Sequence, residues 1–145
     1  MSDKVHLSLV SHLMRRAGFG MSHDDLSDLS TKTYEEIVED LLSPENEEPV
    51  DTYKFLRYHP WAWKPGTNSN PGGGQWMYHL ITTKRPLEEK ITLLWHQVFA
   101  TGNSKVDHWD EVADMIVMFR AKGLGKFRDL LLEVAKSPAM LYWLD

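Results

Sequence analysis

The chain has 145 residues, no cysteine and a formal net charge of −5, from 21 acidic and 16 basic side chains. Its length suits a single domain, and its 42% of apolar residues are enough for a core of ordinary size. The acidic balance argues against a nucleic-acid or anionic-lipid partner, and the absence of cysteine excludes disulfides, thiolate metal sites and a cysteine nucleophile.

Neither a signal peptide nor a membrane-spanning helix is expected. Polar residues, among them Asp3, His6 and Ser11, interrupt the N-terminal residues, so no continuous apolar region precedes a cleavage site. Nowhere do about 18 apolar residues run together, which is the length that a membrane-spanning helix needs. The sequence as given therefore predicts a soluble, cytoplasmic chain.

Three helices are predicted before Pro44. Apolar residues at helical spacing, followed by glycines, predict the first over about residues 5–17. Ser22 and Thr33 each begin a capping-box pattern, in which side chains satisfy the free amides at a helix start, and so predict two more. The last of the three should end before Pro44, because the residue preceding a proline is disfavoured in the α region.

Residues 44–74 are predicted to form a long loop within the domain. Five prolines interrupt the helical periodicity, and Gly72 to Gly74 close the segment. A connection of this length is unusual in a compact domain, so it is either functional or flexible. Its aromatic rings are too many for a solvated linker, and we expect them to be packed. These are Tyr53, Phe55, Tyr58, Trp61 and Trp63.

Helical periodicity returns after the glycines. One helix is predicted from about Trp76 to Thr83, Pro86 begins the next, and Asp107 caps a third. A last long helix opens at Gly125 and is followed by a short terminal turn. The helix from Pro86 has the clearest apolar stripe, formed by Leu87, Ile91, Leu94, Trp95, Val98 and Phe99. The helix after Asp107 should present Val112, Met115, Ile116 and Phe119. The pattern predicts an irregular all-α domain of about six to eight helices.

His96 and Glu89 are the candidates for chemistry on the helix that begins at Pro86. They share one face, but two turns separate them by about 10.5 Å, so partners from elsewhere are needed to hold one metal ion. His96 is interpreted either as a structural histidine in the core beside Trp95 or as a ligand or acid–base group. His79 and His108 flank this helix and would complete a three-histidine metal cluster if the helices pack antiparallel.

Three further groups carry weaker patterns. Arg15 and Arg16, beside two glycines, are candidates for binding an anion, and they equally suit the C-terminal end of a helix, where basic side chains complement the dipole. Gly72 to Gly74 lack the Lys-Ser/Thr of a phosphate-binding loop. The charged residues of segment 84–90 are interpreted as a solvated rim with local helix pairs. Nothing marks a nucleophile elbow, so no Ser-His-Asp set is assigned.

Four motifs occur in an order and spacing that resembles the opening part of the family called domain of unknown function 1800. They are His12-Leu-Met-Arg-Arg-Ala-Gly-Phe-Gly20, Arg85-Pro-Leu-Glu-Glu-Lys-Ile-Thr-Leu-Leu-Trp-His-Gln-Val-Phe-Ala-Thr101, Gly125-Lys-Phe-Arg-Asp-Leu-Leu131 and Ser137-Pro-Ala-Met-Leu-Tyr-Trp-Leu-Asp145. The resemblance covers essentially the whole chain.

This resemblance implies a larger bacterial protein of several hundred residues, of which the chain is the N-terminal part. Many members are exported and encoded beside a second uncharacterised family, a pattern from which the missing leader departs. Relatives often read Trp-His-x-His-Phe where this sequence has Trp95-His96-Gln97-Val98-Phe99, with Val98 in place of the second histidine. If that histidine pair holds a metal in relatives, half of it is lost here.

Two functions from different classes remain open. In the first, the chain is a structural or interaction module that packs against the C-terminal remainder of the family architecture or a partner protein. In the second, His96 and Glu89 contribute to a metal-dependent or acid–base site that residues beyond Asp145 complete. The sequence names no substrate and no cofactor.

Overall fold

The computed structural model describes residues 3–58, 71–106 and 108–145. These residues form nine α-helices and one short 3-10 helix, with no strand, so the predicted all-α class is confirmed and the helix count is slightly above the expected six to eight. The helices are α1 Asp3–Ala17, α2 His23–Leu29, α3 Tyr34–Leu42, α4 Thr52–Tyr58, α5 Pro71–Thr82, α6 Pro86–Val98, α7 Trp109–Lys122, α8 Phe127–Lys136 and α9 Pro138–Leu144, and the 3-10 helix is Pro44–Asn46. Within the described part of the chain no helix is long and apolar enough to cross a membrane.

The starts of α2 and α3 confirm the predicted caps. The Ser22 hydroxyl accepts a hydrogen bond from the Asp25 amide at 3.2 Å. At α3 the Thr33 hydroxyl accepts from the Glu36 amide at 3.3 Å, while the Glu36 carboxylate accepts from the Thr33 amide at 2.8 Å. Both free donors at this helix start are therefore satisfied by side chains three residues apart, which is why the sequence alone locates them.

The expectation of a loop over residues 44–74 is wrong for most of its described part. The segment contains the 3-10 helix, all of α4 and the first turn of α5, which Pro71 begins. Asp51 starts α4, because its carboxylate accepts a hydrogen bond from the Tyr53 amide at 3.0 Å. Pro44 and Pro71 are thus the first residues of the 3-10 helix and of α5, where a missing amide costs nothing.

The aromatic side chains of this segment are packed only in part. The ring of Phe55 lies 5.5 Å from that of Tyr78 on α5, as expected of a packed side chain. Tyr53 and Tyr58 are 71% and 74% exposed, so the expectation of packing is wrong for these two. Trp61 and Trp63 lie outside the described residues, as does Asp107, the predicted cap of α7.

Two apolar clusters form the core, and α6 lies between them. The larger cluster joins the turn before α7 to α7, α8 and α9, and consists of Val106, Val112, Met115, Phe119, Leu130, Val134 and Ala139. The smaller joins α1 to α3 through Val10, Met14 and Ile37. Helix α6 packs on α7 and also contacts α1, α3 and α5. All four apolar residues predicted for α7 are buried.

Helix α6 buries a polar face most deeply and its apolar stripe only in part. Its fully buried residues are Glu89 and Thr92, which are 1% and 0% exposed. Of the predicted stripe, Leu94 and Val98 are 45% and 58% exposed. At 100° per residue, Val98 lies on the side of the helix opposite Glu89. The periodicity therefore predicted the helix correctly, and the stripe packs inward only in part: Trp95 and Phe99 contact the larger cluster, whereas Leu94 and Val98 do not.

Candidate functional site

The buried carboxylate of Glu89 joins three helices. From α7, Arg120 places Nε 2.5 Å from Oε1 and Nη2 3.3 Å from Oε2 of Glu89. From α5, the indole Nε1 of Trp76 donates to Oε2 at 3.2 Å, and Nδ1 of His79 lies 3.5 Å from Oε1. We call Glu89, Arg120, His79 and Trp76 the Glu89 cluster.

Local structure explains how these side chains reach one point. Trp76 and His79 are three residues apart on α5, so they share a face of that helix. Arg120 stands in the last turn of α7, where a cation complements the helix dipole. A carboxylate with almost no exposure is expensive to bury unless it is paired and hydrogen-bonded, and the hydrogen bonds from Arg120 and Trp76 provide both.

The charges of the cluster set the protonation state of Glu89. Burial by itself raises the pKa of this carboxyl, but the contacts from His79 and Arg120 outweigh burial and lower the pKa below its ordinary value. Glu89 is therefore ionised at neutral pH. The other ring nitrogen of His79, Nε2, lies 3.2 Å from the Thr52 hydroxyl, so contacts at both nitrogens fix the orientation of the imidazole.

Arg85 and Glu88 extend the polar interior beside the cluster. Their side chains are only 18% and 13% exposed and lie 3.7 Å apart, and the Arg85 guanidinium donates to the Glu47 carbonyl, with Nε at 2.8 Å. Burial raises the pKa of Glu88, and the nearby cations only partly offset it. Both residues line a cavity of about 250 Å³ that reaches Glu89 and Arg120.

The interpretation of segment 84–90 as a solvated rim is thus wrong for Arg85, Glu88 and Glu89. The interpretation is correct for Lys84, whose side chain is 65% exposed and lies 3.8 Å from Glu48. Charged residues are seldom buried, so the pattern favoured exposure, and only partners from other helices reverse that expectation.

His96 lies on the same helix as Glu89 and contacts the same tryptophan. Its ring meets Trp76 edge to face with centroids 5.1 Å apart. Its Nδ1 is buried and has no hydrogen-bond partner among the residues that the structure describes. Burial lowers the pKa of His96, which keeps the imidazole neutral at neutral pH. A cavity of about 160 Å³ adjoins the ring and is also lined by Trp76 and Trp109.

The remaining candidates lie elsewhere. His108 is exposed and contacts the ring of Tyr142 on α9 at 6.4 Å. Arg15 and Arg16 are exposed in the last turn of α1, and Arg15 donates to the Ser11 hydroxyl at 2.6 Å. The structure brings His79 to Glu89, but in its described ranges no three His, Asp or Glu side chains are grouped so as to hold one metal ion. Metal and anion binding stay predictions.

The sequence reasoning missed Trp76 and Arg120 as members of the site. No local pattern identifies them, because they are 13 and 31 residues from Glu89. The one available signal was the shared face of Glu89 and His96 on α6. Trp76 contacts both residues, which explains why that face is polar and buried.

The fold and the Glu89 cluster define an all-helical domain in which a buried ion pair connects the central helices. The family model described as protein of unknown function (DUF1800) matches residues 12–145, so the chain belongs to this family and the resemblance of its four motifs is confirmed. Searches of curated proteins and of solved structures found no match.

Proposed function

We propose that the chain is a structural and interaction module of a larger protein of its family. The observation that carries this proposal is the orientation of α6, which turns Glu89 and Thr92 inward and leaves Leu94 and Val98 45% and 58% exposed. A helix ordinarily buries its apolar stripe, because that burial is its main source of stability. Contact with another protein segment would give this exposed part of the stripe the same stabilisation.

A second exposed stripe supports the proposal. On α8, Phe127 and Leu131 are four residues apart, so they are neighbours on the helix surface, and they are 55% and 43% exposed. Contiguous apolar patches on a protein surface are typical of interaction sites. The occupant that we propose is further sequence of the same family architecture, since the resemblance implies longer proteins.

The Glu89 cluster supports a structural role more than an acid–base role. Its carboxylate receives donors from Trp76 and Arg120 and contacts His79, so its oxygens are occupied. Its lowered pKa keeps it ionised, which suits an ion pair and does not suit a proton donor near pH 7. The cluster holds α5, α6 and α7 together and so fixes the direction in which the α6 stripe points.

Thiol labelling tests the proposal directly, because the chain has no cysteine of its own. Val98→Cys should react quickly with a maleimide in the 145-residue chain and at least tenfold more slowly in a full-length family protein that contains it. The matched control is Leu42→Cys, on α3, since Leu42 is 55% exposed against 58% for Val98. Equal reaction rates of Val98→Cys in both proteins would overturn the proposal. Protection that appears in the chain alone and grows with its concentration would replace the proposed occupant by a second copy.

A second candidate function, a metal-dependent or acid–base site completed beyond Asp145, rests on one observation. The buried Nδ1 of His96 has no partner in the described part of the chain and faces no charge that would stabilise its cation. A neutral imidazole with a free nitrogen is the form that binds metals. Metal analysis of a full-length protein tests it: stoichiometric metal that is lost in His96→Ala and kept in His108→Ala supports the site, and a metal-free protein counts against it.

A further inference from the structure

A large cavity lies away from the Glu89 cluster. It has a volume of about 750 Å³ and opens where α1, α2 and α3 meet the junction between α5 and α6. Ligand-binding pockets of proteins commonly measure about 300–1,000 Å³. Its apolar lining includes Met14, Leu29, Ile37, Leu41, Leu80 and Pro86. Neither Glu89 nor His79 lines it.

Apolar side chains form both the floor and the rim of this cavity. Met14 and Ile37 belong to the floor and are 3% and 1% exposed. Phe19, Met21 and Ile81 belong to the rim and are 44%, 40% and 75% exposed. An occupant with an apolar body would remove the rim side chains from water, which is favourable in proportion to the apolar area covered.

One cation of the lining has room beside it for a negatively charged group. Three cations and two carboxylates line the cavity: Lys32, Lys84, Arg85, Asp40 and Glu47. Glu48 and Glu88 lie just outside the lining, beside two of the cations. Lys32 is bound to Asp40 at 2.6 Å, and the Arg85 guanidinium is bound to the Glu47 carbonyl. The Lys84 ammonium is the cation among these three that lacks a close acceptor among the described residues. Its contact with Glu48, 3.8 Å away, is weak because both side chains are largely exposed.

We propose that this cavity binds a linear aliphatic monocarboxylate, with the chain between the floor and the rim and the carboxylate beside Lys84. The apolar body supplies most of the affinity, and the ammonium selects an anionic head over a neutral one. This inference goes beyond the proposed interaction role and does not depend on it, because the α6 stripe lies outside the lining of the cavity.

The test is fluorescence titration with a dansyl-labelled undecanoic acid, competed by dodecanoate or dodecanol below their aggregation concentrations. Saturable binding is expected, with dodecanoate competing about threefold better than dodecanol, as one exposed ion pair allows. Lys84→Gln should abolish that preference and leave dodecanol competition unchanged. Lys136→Gln is the matched control, since Lys136 is 71% exposed and lies 4.0 Å from Glu133, outside the cavity.

A second variant tests the apolar rim. Ile81→Glu should weaken the dansyl probe at least tenfold, because it removes an apolar contact and adds a like charge, and it should leave folding intact since Ile81 is 75% exposed. Three results would each overturn the proposal. The first is a signal that does not saturate, and the second is equal competition by dodecanoate and dodecanol in the unmodified chain. The third is an unchanged affinity of Ile81→Glu for the dansyl probe.

Discussion

Arg120 Nε lies 2.5 Å from Glu89 Oε1, although 31 residues separate the two in the sequence. The Arg120 side chain is 19% exposed and the Glu89 side chain 1%, so this ion pair is largely out of water. Taking two charges out of water is costly, and the gain from their contact repays that cost only while both partners are present. Removal of either partner therefore has a larger effect than removal of both.

Arg120→Met should lower the free energy of unfolding by about 3 kcal/mol, because it leaves the Glu89 carboxylate buried without the guanidinium that it contacts. The double variant Glu89→Leu with Arg120→Met should recover most of that loss, since an apolar pair leaves no uncompensated charge. Urea unfolding at pH 7, followed by circular dichroism, gives both values. A loss below about 1 kcal/mol in Arg120→Met would show that the ion pair is not a determinant of the fold.

Gly123→Ala should destabilise the chain by about 1–3 kcal/mol through overpacking. A Cβ at this position would lie 2.5 Å from the Phe119 carbonyl oxygen of α7 and 3.0 Å and 3.1 Å from Trp95 Cδ1 and Ile91 Cγ2 of α6, so the end of α7 would have to shift and α6 would have to move away from it. Movement would also strain the hydrogen bond of 2.9 Å that Trp95 Nε1 donates to the Gly123 carbonyl.

Gly102→Ala is the control for this substitution, because an added Cβ there meets nothing closer than the Ser104 hydroxyl at 4.0 Å. Thermal unfolding of the two variants under one set of conditions makes the comparison. Equal melting temperatures for Gly123→Ala and Gly102→Ala would mean that the contact between α6 and α7 relaxes freely.

The sequence predicted features that residues close in the chain determine by themselves. The caps at Ser22 and Thr33 depend on residues three positions away, and Pro86 begins a helix as expected. Helix α4 was missed because its start depends on Asp51, and the prolines around this residue favoured a loop. Local patterns thus located most helices, and the errors fell where prolines outweighed a short helix.

The site was harder to predict because its members come from three helices. Glu89 and His96 were selected for their shared face on α6, and His79 for its position before that helix. The role of Arg120 depends on the packing of α7 against α6, and the spacing of residues in the sequence does not show how two helices pack. The burial of Glu89 was missed for the same reason, since periodicity assigns the core to the apolar side of a helix unless a buried partner for the charge is known.

Stability should fall as the pH drops below about 6.5, through His96. Burial lowers the pKa of this histidine from its ordinary 6.5, so the unfolded chain binds more protons than the folded chain in the window just below that value. The contribution of His96 is complete above the unfolded pKa and is lost as the pH decreases towards the folded pKa. Urea unfolding of the unmodified chain and of His96→Gln between pH 7.5 and about 5 measures it.

The difference between these two proteins isolates His96 from the carboxyl groups that titrate nearby. His96→Gln should show a flatter dependence across that window, while His108→Gln, which replaces an exposed histidine, should match the unmodified chain. Identical pH profiles for all three would contradict the neutral, buried state assigned to His96.

The titration of Glu88 should lower stability as the pH rises, which is opposite to the effect of His96. Burial raises the pKa of its carboxyl above the ordinary 4.5, and the nearby Arg85 only partly offsets this, so the folded chain binds more protons than the unfolded chain above pH 4.5. Its contribution is favourable below the unfolded pKa and is lost as the pH rises through the folded pKa.

Glu88→Gln should therefore remove this decline, so at pH 7 the variant should be as stable as the unmodified protein or more stable. Glu89→Gln should instead destabilise the chain at pH 7, because the pKa of the Glu89 carboxyl is lowered in the folded state. Parallel urea titrations at pH 4.5 and 7 distinguish the adjacent glutamates, and a loss of stability at pH 7 in Glu88→Gln as large as that in Glu89→Gln would show that Arg85 compensates Glu88 fully.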